Sequence, residues 1–158
     1  PSDARRPLSP GHSRMSADVV FAIANGLALC GWLLLLVMPG WRTGRRWIAG
    51  LALPAVFSLT YLIVFVPQLF TSRGGFGSLE ALTTLLNDDP RVMLGAWLHY
   101  LAFDLLVGAW MSEEAARRGI AHAAMVPALI LTFLAGPVGW LLFLVARARY
   151  PSPARDGL

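Results

Sequence analysis

Residues 19–38 read VVFAIANGLALCGWLLLLVM, a run of twenty residues without a charged side chain. An α-helix rises about 1.5 Å per residue, so about twenty apolar residues cross the hydrocarbon core of a bilayer. Pro39-Gly40-Trp41 ends the run, and Arg42, Arg45 and Arg46 follow where a headgroup boundary would lie. The run has neither the short core nor the small-residue cleavage site of a signal peptide, so it predicts a retained transmembrane helix.

The composition of the whole chain agrees with a membrane protein. Of its 158 residues, 56% are hydrophobic and only 14% are charged, whereas a soluble domain carries charge on about a quarter of its positions. All 13 basic residues are arginines, and most of them flank apolar runs rather than form a patch. This distribution is typical of membrane anchoring and argues against nucleic-acid binding. A single cysteine excludes a disulfide framework.

Three further apolar runs follow, over residues 47–66, 92–111 and 122–146. The last contains Gly136-Pro137-Val138-Gly139, which predicts a kink. Between the second and third runs, Ser78 can cap a short helix ending near Leu86. This helix is predicted to lie at the membrane interface, and a loop helix packed on the bundle is the alternative. The sequence therefore predicts an all-α integral membrane protein with four transmembrane helices and a short interfacial helix.

The boundaries predict one domain between two tails. Residues 1–17, rich in Pro, Ser and Arg, are expected to be a disordered tail in which Met15 is the true start; residues 18–149 form the four-helix domain, and residues 150–158 a second tail. Four crossings put both termini on one side of the membrane. That side would carry eight arginines, and the opposite side five. The excess favours cytoplasmic termini. The all-arginine, Ala- and Gly-rich composition indicates a bacterial inner membrane protein.

The third run, VMLGAWLHYLAFDLLVGAWM, carries ionisable groups at depth. A mid-membrane carboxylate such as Asp104 costs about 2.5–3.5 kcal/mol. On a helical projection, one arc holds only small and aliphatic residues, and we expect it to face lipid: Leu98, Ala102, Leu105 and Ala109. Tyr100 lies one turn before Asp104, within hydrogen-bonding reach. His99 and Asp104 differ by about 140° and ~7.5 Å, so they could border one cavity without touching.

Three interpretations of this run remain open. Asp104 could belong to a structural network with Tyr100, Asn25 or Ser58. A metal or haem site would need a second ligand, but His99 and His122 differ in depth by about 15–18 Å, so no metal and no cofactor are expected. The third interpretation is a membrane-embedded acid/base site acting on an apolar substrate, because an apolar environment favours the neutral forms of titratable groups and so eases proton exchange.

Residues 97–105, WLHYLAFDL, resemble the W-x-H-x-x-A-x-D-L core of the abscisic-acid-deficient-type membrane proteins, the neoxanthin-synthase-like family. The similarity runs from about residue 18 to 147. It includes Asn25, Pro39 and Trp41, residues 119–122 and 126–127, and the stretch 131–139 in the last run.

The resemblance implies carotenoid chemistry. Plant members are implicated in converting violaxanthin to neoxanthin. This reaction opens an epoxide and removes a polyene proton, without net oxidation or reduction. It implies an isomerase in which Asp104 acts as base or acid, His99 as its counterpart, and Tyr100 and Asn25 orient the substrate. Asn25, Trp97 and Phe103 are the expected substrate contacts.

Two other functions stay open beside the isomerase. The first is a non-enzymatic scaffold or pigment-binding partner of a larger membrane complex. The second, a conduit for protons or small solutes, would need a longer polar file than the chain offers. The expected partners are membrane lipid and a carotenoid, with a homo-oligomer or a membrane complex as further possibilities.

Overall fold

Helices joined by short turns and loops, with no strand, make up the part of the protein described by the structure, a computed structural model that gives the backbone of residues 10–150 and the side chains of residues 17–150. The helices are α1 (Pro10–Val37), a π-helix (Gly44–Ala52) continuous with α2 (Leu53–Phe65) and a 3₁₀ turn (Val66–Phe70), then α3 (Leu79–Asp88), α4 (Pro90–Arg117) and α5 (His122–Arg149). Four helical segments are long and apolar enough to span a membrane: Ala17–Val37, Gly44–Phe70, Pro90–Arg117 and His122–Arg149. The predicted all-α class is confirmed, with four segments that have the length and composition of membrane-spanning helices.

The predicted tails fall mostly outside the described part of the chain. α1 begins at Pro10, within the segment 1–17 expected to be a tail. Residues 1–9 and 151–158 lie outside the described residues, as do the side chains of His12 and Met15.

The predicted short helix is present as α3. The Ser78 hydroxyl caps it by accepting a hydrogen bond from the Ala81 N–H at 3.1 Å. Asp89 then caps α4 through the Arg91 N–H at 2.8 Å. Its side-chain hydrogen bond with the Arg91 guanidinium holds the pKa of the Asp89 carboxyl below its usual value. The location of α3 at a membrane interface stays a prediction.

α4 is the central helix of the bundle and packs against α1, α2, α3 and α5. Leu98 and Leu105 on it are 0% exposed, and Ala102 and Ala109 are 3% exposed. The prediction that this arc faces lipid is therefore wrong. Small and aliphatic side chains let neighbouring helices approach closely. Because lipid is as apolar as the helices themselves, this close packing, rather than hydrophobicity, decides which face of α4 lies inside the bundle.

α5 is not one straight rod. Ala135 has φ −154° and ψ 72°, which breaks the helix into residues 122–134 and residues 136–149. A straight helix of this length would separate its ends by about 42 Å. Instead, Arg118, four residues before α5, donates from Nη1 to the carbonyl oxygen of Tyr150 just after it, at 2.9 Å. The second half therefore runs back beside the first, a sharper change of direction than the predicted kink.

Aromatic packing holds the second half of α5 against the C-terminal part of α4. The ring centroids of Trp110 and Trp140 lie 5.3 Å apart. Phe143 meets Trp110 edge-on at 5.6 Å. The Arg147 guanidinium lies 5.9 Å above the Trp110 ring. Each half of α5 is about 20 Å long, too short to cross a hydrocarbon core of about 30 Å. The helix thus enters the bundle and returns to the end from which it came.

This reversal gives the bundle an acidic end and a basic end. The acidic end holds the start of α1 and the α2–α4 connection, with Asp18, Glu80, Asp88 and Asp89. Of the described arginines, Arg73 and Arg91 lie at the acidic end. The other seven lie at the basic end: Arg42, Arg45, Arg46, Arg117, Arg118, Arg147 and Arg149. The start of α1 and the end of α5 lie at opposite ends of the bundle, whereas four full crossings would place them at the same end.

Cysteine labelling tests this topology. In a Cys30→Ala background, we expect Thr43→Cys, Ala116→Cys and Tyr150→Cys to react with a membrane-impermeant maleimide from one side, and Gly77→Cys from the other. By the positive-inside rule, the first three should react only in inside-out vesicles. Labelling of Tyr150→Cys together with Gly77→Cys would mean that α5 crosses the membrane.

A cluster of charges closes the reversed helix onto α4. The carboxylate of Glu114, whose side chain is 11% exposed, accepts from Arg118 Nε at 2.6 Å and contacts Arg117 Nη2 at 3.0 Å and Arg147 Nε at 3.3 Å. The sequence predicts pairs Glu113–Arg117 and Glu114–Arg118 on a solvated extension of the third span. The second pair is present, but Glu113 pairs with Arg45 at 2.8 Å. Glu114 and Arg118 are largely buried, while Arg117 stays exposed.

We expect Glu114→Gln to lower the free energy of unfolding by about 2–3 kcal/mol, because three guanidinium groups lose their shared charge partner in a partly buried site. The thermal midpoint of the detergent-purified protein measures the loss. Glu80→Gln is the matched control on exposed α3 and should leave the midpoint unchanged. Equal midpoints for the two variants would show that the Glu114 cluster contributes little.

Candidate functional site

Asp104 faces the break in α5. It lines a cavity of about 340 Å³ together with Val107 on α4 and with Gly136, Pro137 and Trp140 on α5. A Cβ atom placed on Gly136 would lie 2.5 Å from Asp104 Oδ1, so only glycine lets the backbone approach the carboxyl group this closely. Asp104 Oδ2 is buried and accepts no hydrogen bond from the part of the chain that the structure describes. The carboxyl group thus retains an acceptor at the edge of a cavity.

Three of the predicted site residues form a connected path to Asp104. Asn25 donates to the Phe21 carbonyl oxygen at 2.7 Å and accepts from Trp97 Nε1 at 3.2 Å. The Trp97 ring stacks on Tyr100, with centroids 5.2 Å apart and planes inclined by 24°. The Tyr100 hydroxyl lies beside the Asp104 carboxyl group and the Gly136 backbone. Asn25, Trp97, Tyr100 and Asp104 therefore share one side of the bundle.

A larger cavity, of about 720 Å³, leads to these residues from the acidic end. Its polar mouth includes Asp18, Asn87 and Asp88, and its inner wall includes Trp97 and Tyr100. Since Tyr100 and Asp104 are one helical turn apart, the two cavities follow one another along α4. From Met93 in the first to Val107 in the second, the axial distance is about 21 Å. The arrangement suits a long apolar molecule with a polar end.

The structure does not bring His99 to Asp104. His99 is exposed on another side of α4, where its ring stacks on Phe103 at 4.6 Å and meets Tyr61 at 5.9 Å. The cavity beside Asp104 does not include it. The expectation that His99 and Asp104 border one cavity is therefore wrong. Phe103, 53% exposed, lies with His99 on this outer side.

Two other expected partners of Asp104 lie elsewhere. Asn25 bonds to Trp97, and Ser58 is exposed on α2. Among the side chains described, those of residues 17–150, no three of His, Cys, Asp or Glu lie close enough together to hold a metal ion. His122 instead contacts the Leu36 carbonyl oxygen through Nε2 at 2.9 Å, which joins the start of α5 to α1.

The sequence reasoning missed the contribution of α5. Gly136, Pro137 and Trp140 complete the wall around Asp104, but the Gly-Pro pair predicts only a bend and Trp140 carries no motif. The available signal was the position of this pair near the middle of an apolar run. Helices interrupted in this way commonly form binding sites at the membrane midplane.

The chain matches the model of the family described as ABA DEFICIENT 4-like over residues 19–143. It belongs to the ABA DEFICIENT 4-like family. The resemblance noted in the sequence is confirmed, and membership relates this integral membrane protein to the carotenoid and abscisic-acid pathways. No curated protein and no solved structure matches it.

In this ABA DEFICIENT 4-like chain, the matched region contains α4 and the break in α5, the two elements that surround Asp104. It also contains Asn25 and both cavities apart from Ala17 and Asp18 at the mouth of the larger one.

We expect Gly136→Ala to destabilise this ABA DEFICIENT 4-like protein by about 1–3 kcal/mol, because the added methyl group would overlap the Asp104 carboxyl group. Gly26→Ala is the control, since a Cβ atom there has nothing within 4 Å. Thermal midpoints of both variants, in one detergent, measure the difference. A midpoint for Gly136→Ala equal to that of Gly26→Ala would contradict the close approach of Gly136 to Asp104.

Proposed function

We propose that this protein is a membrane-embedded isomerase that converts an epoxy-carotenoid into an allenic carotenoid by acid/base chemistry. The observation that carries the proposal is Asp104 Oδ2, a buried oxygen without a hydrogen-bond partner among the described residues, beside a cavity that Gly136 and Pro137 line at the break in α5. A buried polar atom left unpaired is costly, and such a cost is commonly retained where the group acts on a ligand.

Tyr100 and Asp104 can serve as the proton donor and acceptor of this reaction. The Tyr100 hydroxyl gives its proton to the epoxide oxygen as the carbon–oxygen bond breaks, and the Asp104 carboxylate takes the proton from the neighbouring polyene carbon. The electron pair of the broken carbon–hydrogen bond forms the new double bond of the allene. A proton then passes from Asp104 to Tyr100, one turn away, so that both residues return to their starting forms and no oxidant or reductant is consumed.

The shape of the site supports a rod-like substrate. The two cavities together span about 21 Å along α4, parallel to the helices. Trp97 supplies an aromatic wall and Asn25 fixes its orientation. The polar mouth, with Asp18, Asn87 and Asp88, can accept hydrogen bonds from a hydroxylated end ring at the membrane boundary.

His99 has a different role in this proposal from the one that the resemblance implies. It stands on the outer side of α4 with Phe103 and Tyr61, away from the Asp104 carboxyl group. We assign this aromatic surface to contact with lipid or with the polyene chain, and the proton cycle to Tyr100 and Asp104.

Expression in a bacterium engineered to accumulate an epoxy-carotenoid, followed by pigment chromatography, tests the proposal. We expect Asp104→Asn to reduce allene formation by at least about a hundredfold, since a positioned acid or base contributes a factor of about 10²–10⁴. Tyr100→Phe should have a similar effect. His99→Ala should retain the rate within about threefold.

All four proteins must reach the membrane at equal levels, as measured by immunoblot of the membrane fraction. Full turnover by Asp104→Asn would refute the proposed chemistry. Pigment that copurifies with wild type and with Asp104→Asn alike, without turnover, would support the pigment-binding scaffold instead.

A further inference from the structure

A third cavity, of about 710 Å³, opens at the basic end between the π-helix, α4 and the second half of α5. Its walls differ from those of the cavities at Asp104 and the acidic end. Four arginines and one glutamate surround its outer part, namely Arg42, Arg45, Arg46, Arg117 and Glu113. Its inner part is apolar and aromatic. We call it the basic groove.

The arginines of the basic groove are not all committed to partners. Arg45, 5% exposed, donates to Glu113 at 2.8 Å and to the Pro39 carbonyl oxygen at 2.6 Å. These bonds neutralise Glu113 and fix the wall of the groove. Arg42 and Arg46 are exposed and form no salt bridge with any residue that the structure describes. Two positive charges therefore face the groove without a carboxylate to balance them.

The charged and apolar parts of the basic groove are arranged along the helix axis. On α4, Arg117 stands at one end and Leu106 at the other, about 16 Å apart along the axis. Leu106, Val107 and Trp140 line the deep part, and Trp110 lies between this part and the arginines. A ligand that fills it must have an anionic head and an apolar tail that lies parallel to the helices.

We propose that the basic groove binds an anionic phospholipid, with the phosphate against Arg42 and Arg46 and one acyl chain along Leu106, Val107 and Trp140. Planar guanidinium groups hold phosphate oxygens through paired hydrogen bonds. Basic pockets between transmembrane helices are a recurring place for anionic headgroups. A soluble phosphate would use the arginines but leave the apolar part empty, which favours a lipid. The proposal does not depend on the chemistry proposed at Asp104.

Quenching of tryptophan fluorescence tests the site, because Trp110 and Trp140 line it. The full chain is reconstituted in phosphatidylcholine nanodiscs that contain a small fraction of either brominated phosphatidylglycerol or brominated phosphatidylcholine. We expect stronger quenching by the anionic lipid at equal fractions. The double variant Arg42→Gln, Arg46→Gln should weaken its apparent affinity about thirtyfold, at roughly a tenfold loss per 1.4 kcal/mol and about 1 kcal/mol per charge.

Two further variants make the result specific to the groove. The double variant Arg73→Gln, Arg149→Gln removes the same charge from outside the groove and should keep the wild-type affinity. The double variant Arg42→Lys, Arg46→Lys keeps the charge and should retain most of the binding, which also shows that position 42 and position 46 tolerate substitution. Equal quenching by the two brominated lipids, or equal losses in both Gln variants, would overturn the proposal.

Discussion

The backbone break at Ala135 sets the position of almost everything around Asp104. A helix that ends inside a bundle leaves carbonyl oxygens and N–H groups without intrahelical partners, and hydrocarbon offers no water to satisfy them. Pro137 reduces this cost because it has no N–H and its φ suits the first turn of a restarting helix. Gly136 lets α4 approach, so that a polar side chain lies next to the break. The carboxyl group of Asp104 and the broken helix therefore lie side by side within an apolar bundle.

The sequence predicted the helices well, because charge-free runs of about twenty residues have few alternatives in a chain of this composition. It could not predict the reversal of α5. A Gly-Pro pair permits a bend of any size, and the size depends on contacts distant in sequence. Here the buried carboxylate of Glu114, the Trp110–Trp140–Phe143 cluster and the Arg118–Tyr150 hydrogen bond hold the second half against α4. The sequence places Arg117 and Arg118 within one turn of Glu114, but it does not show that Arg147, 33 residues further on, joins them.

The helical projection of α4 gave correct spacings but the wrong outer face, because the buried face also depends on contacts with other helices. The projection placed Tyr100 beside Asp104, which agrees with the structure, but it also let His99 and Asp104 border one cavity, which the structure does not show. It assigned Leu98 and Leu105 to lipid, whereas both are fully buried. In water, burial follows hydrophobicity, but lipid is as apolar as the core, so shape decides. Because α4 has neighbours on most sides, its small and aliphatic residues form the contacts, and His99 and Phe103 stay outside.

Two cavities with different chemistry share part of one wall. Val107 and Trp140 line both the cavity at Asp104 and the basic groove. An acyl chain in the basic groove would contact Val107 and Trp140 on one side. A substrate at Asp104 would contact the same two side chains from the other cavity. The two occupants therefore compete for the position of Trp140, unless both can pack against it at once. Trp140 is held by Trp110 and Phe143, which lie in the closed part of the hairpin, so its movement is limited. Occupation of the basic groove should thus change the volume available at Asp104 more than the electrostatic field there, since Arg117 lies about 20 Å from Asp104 along the axis of α4.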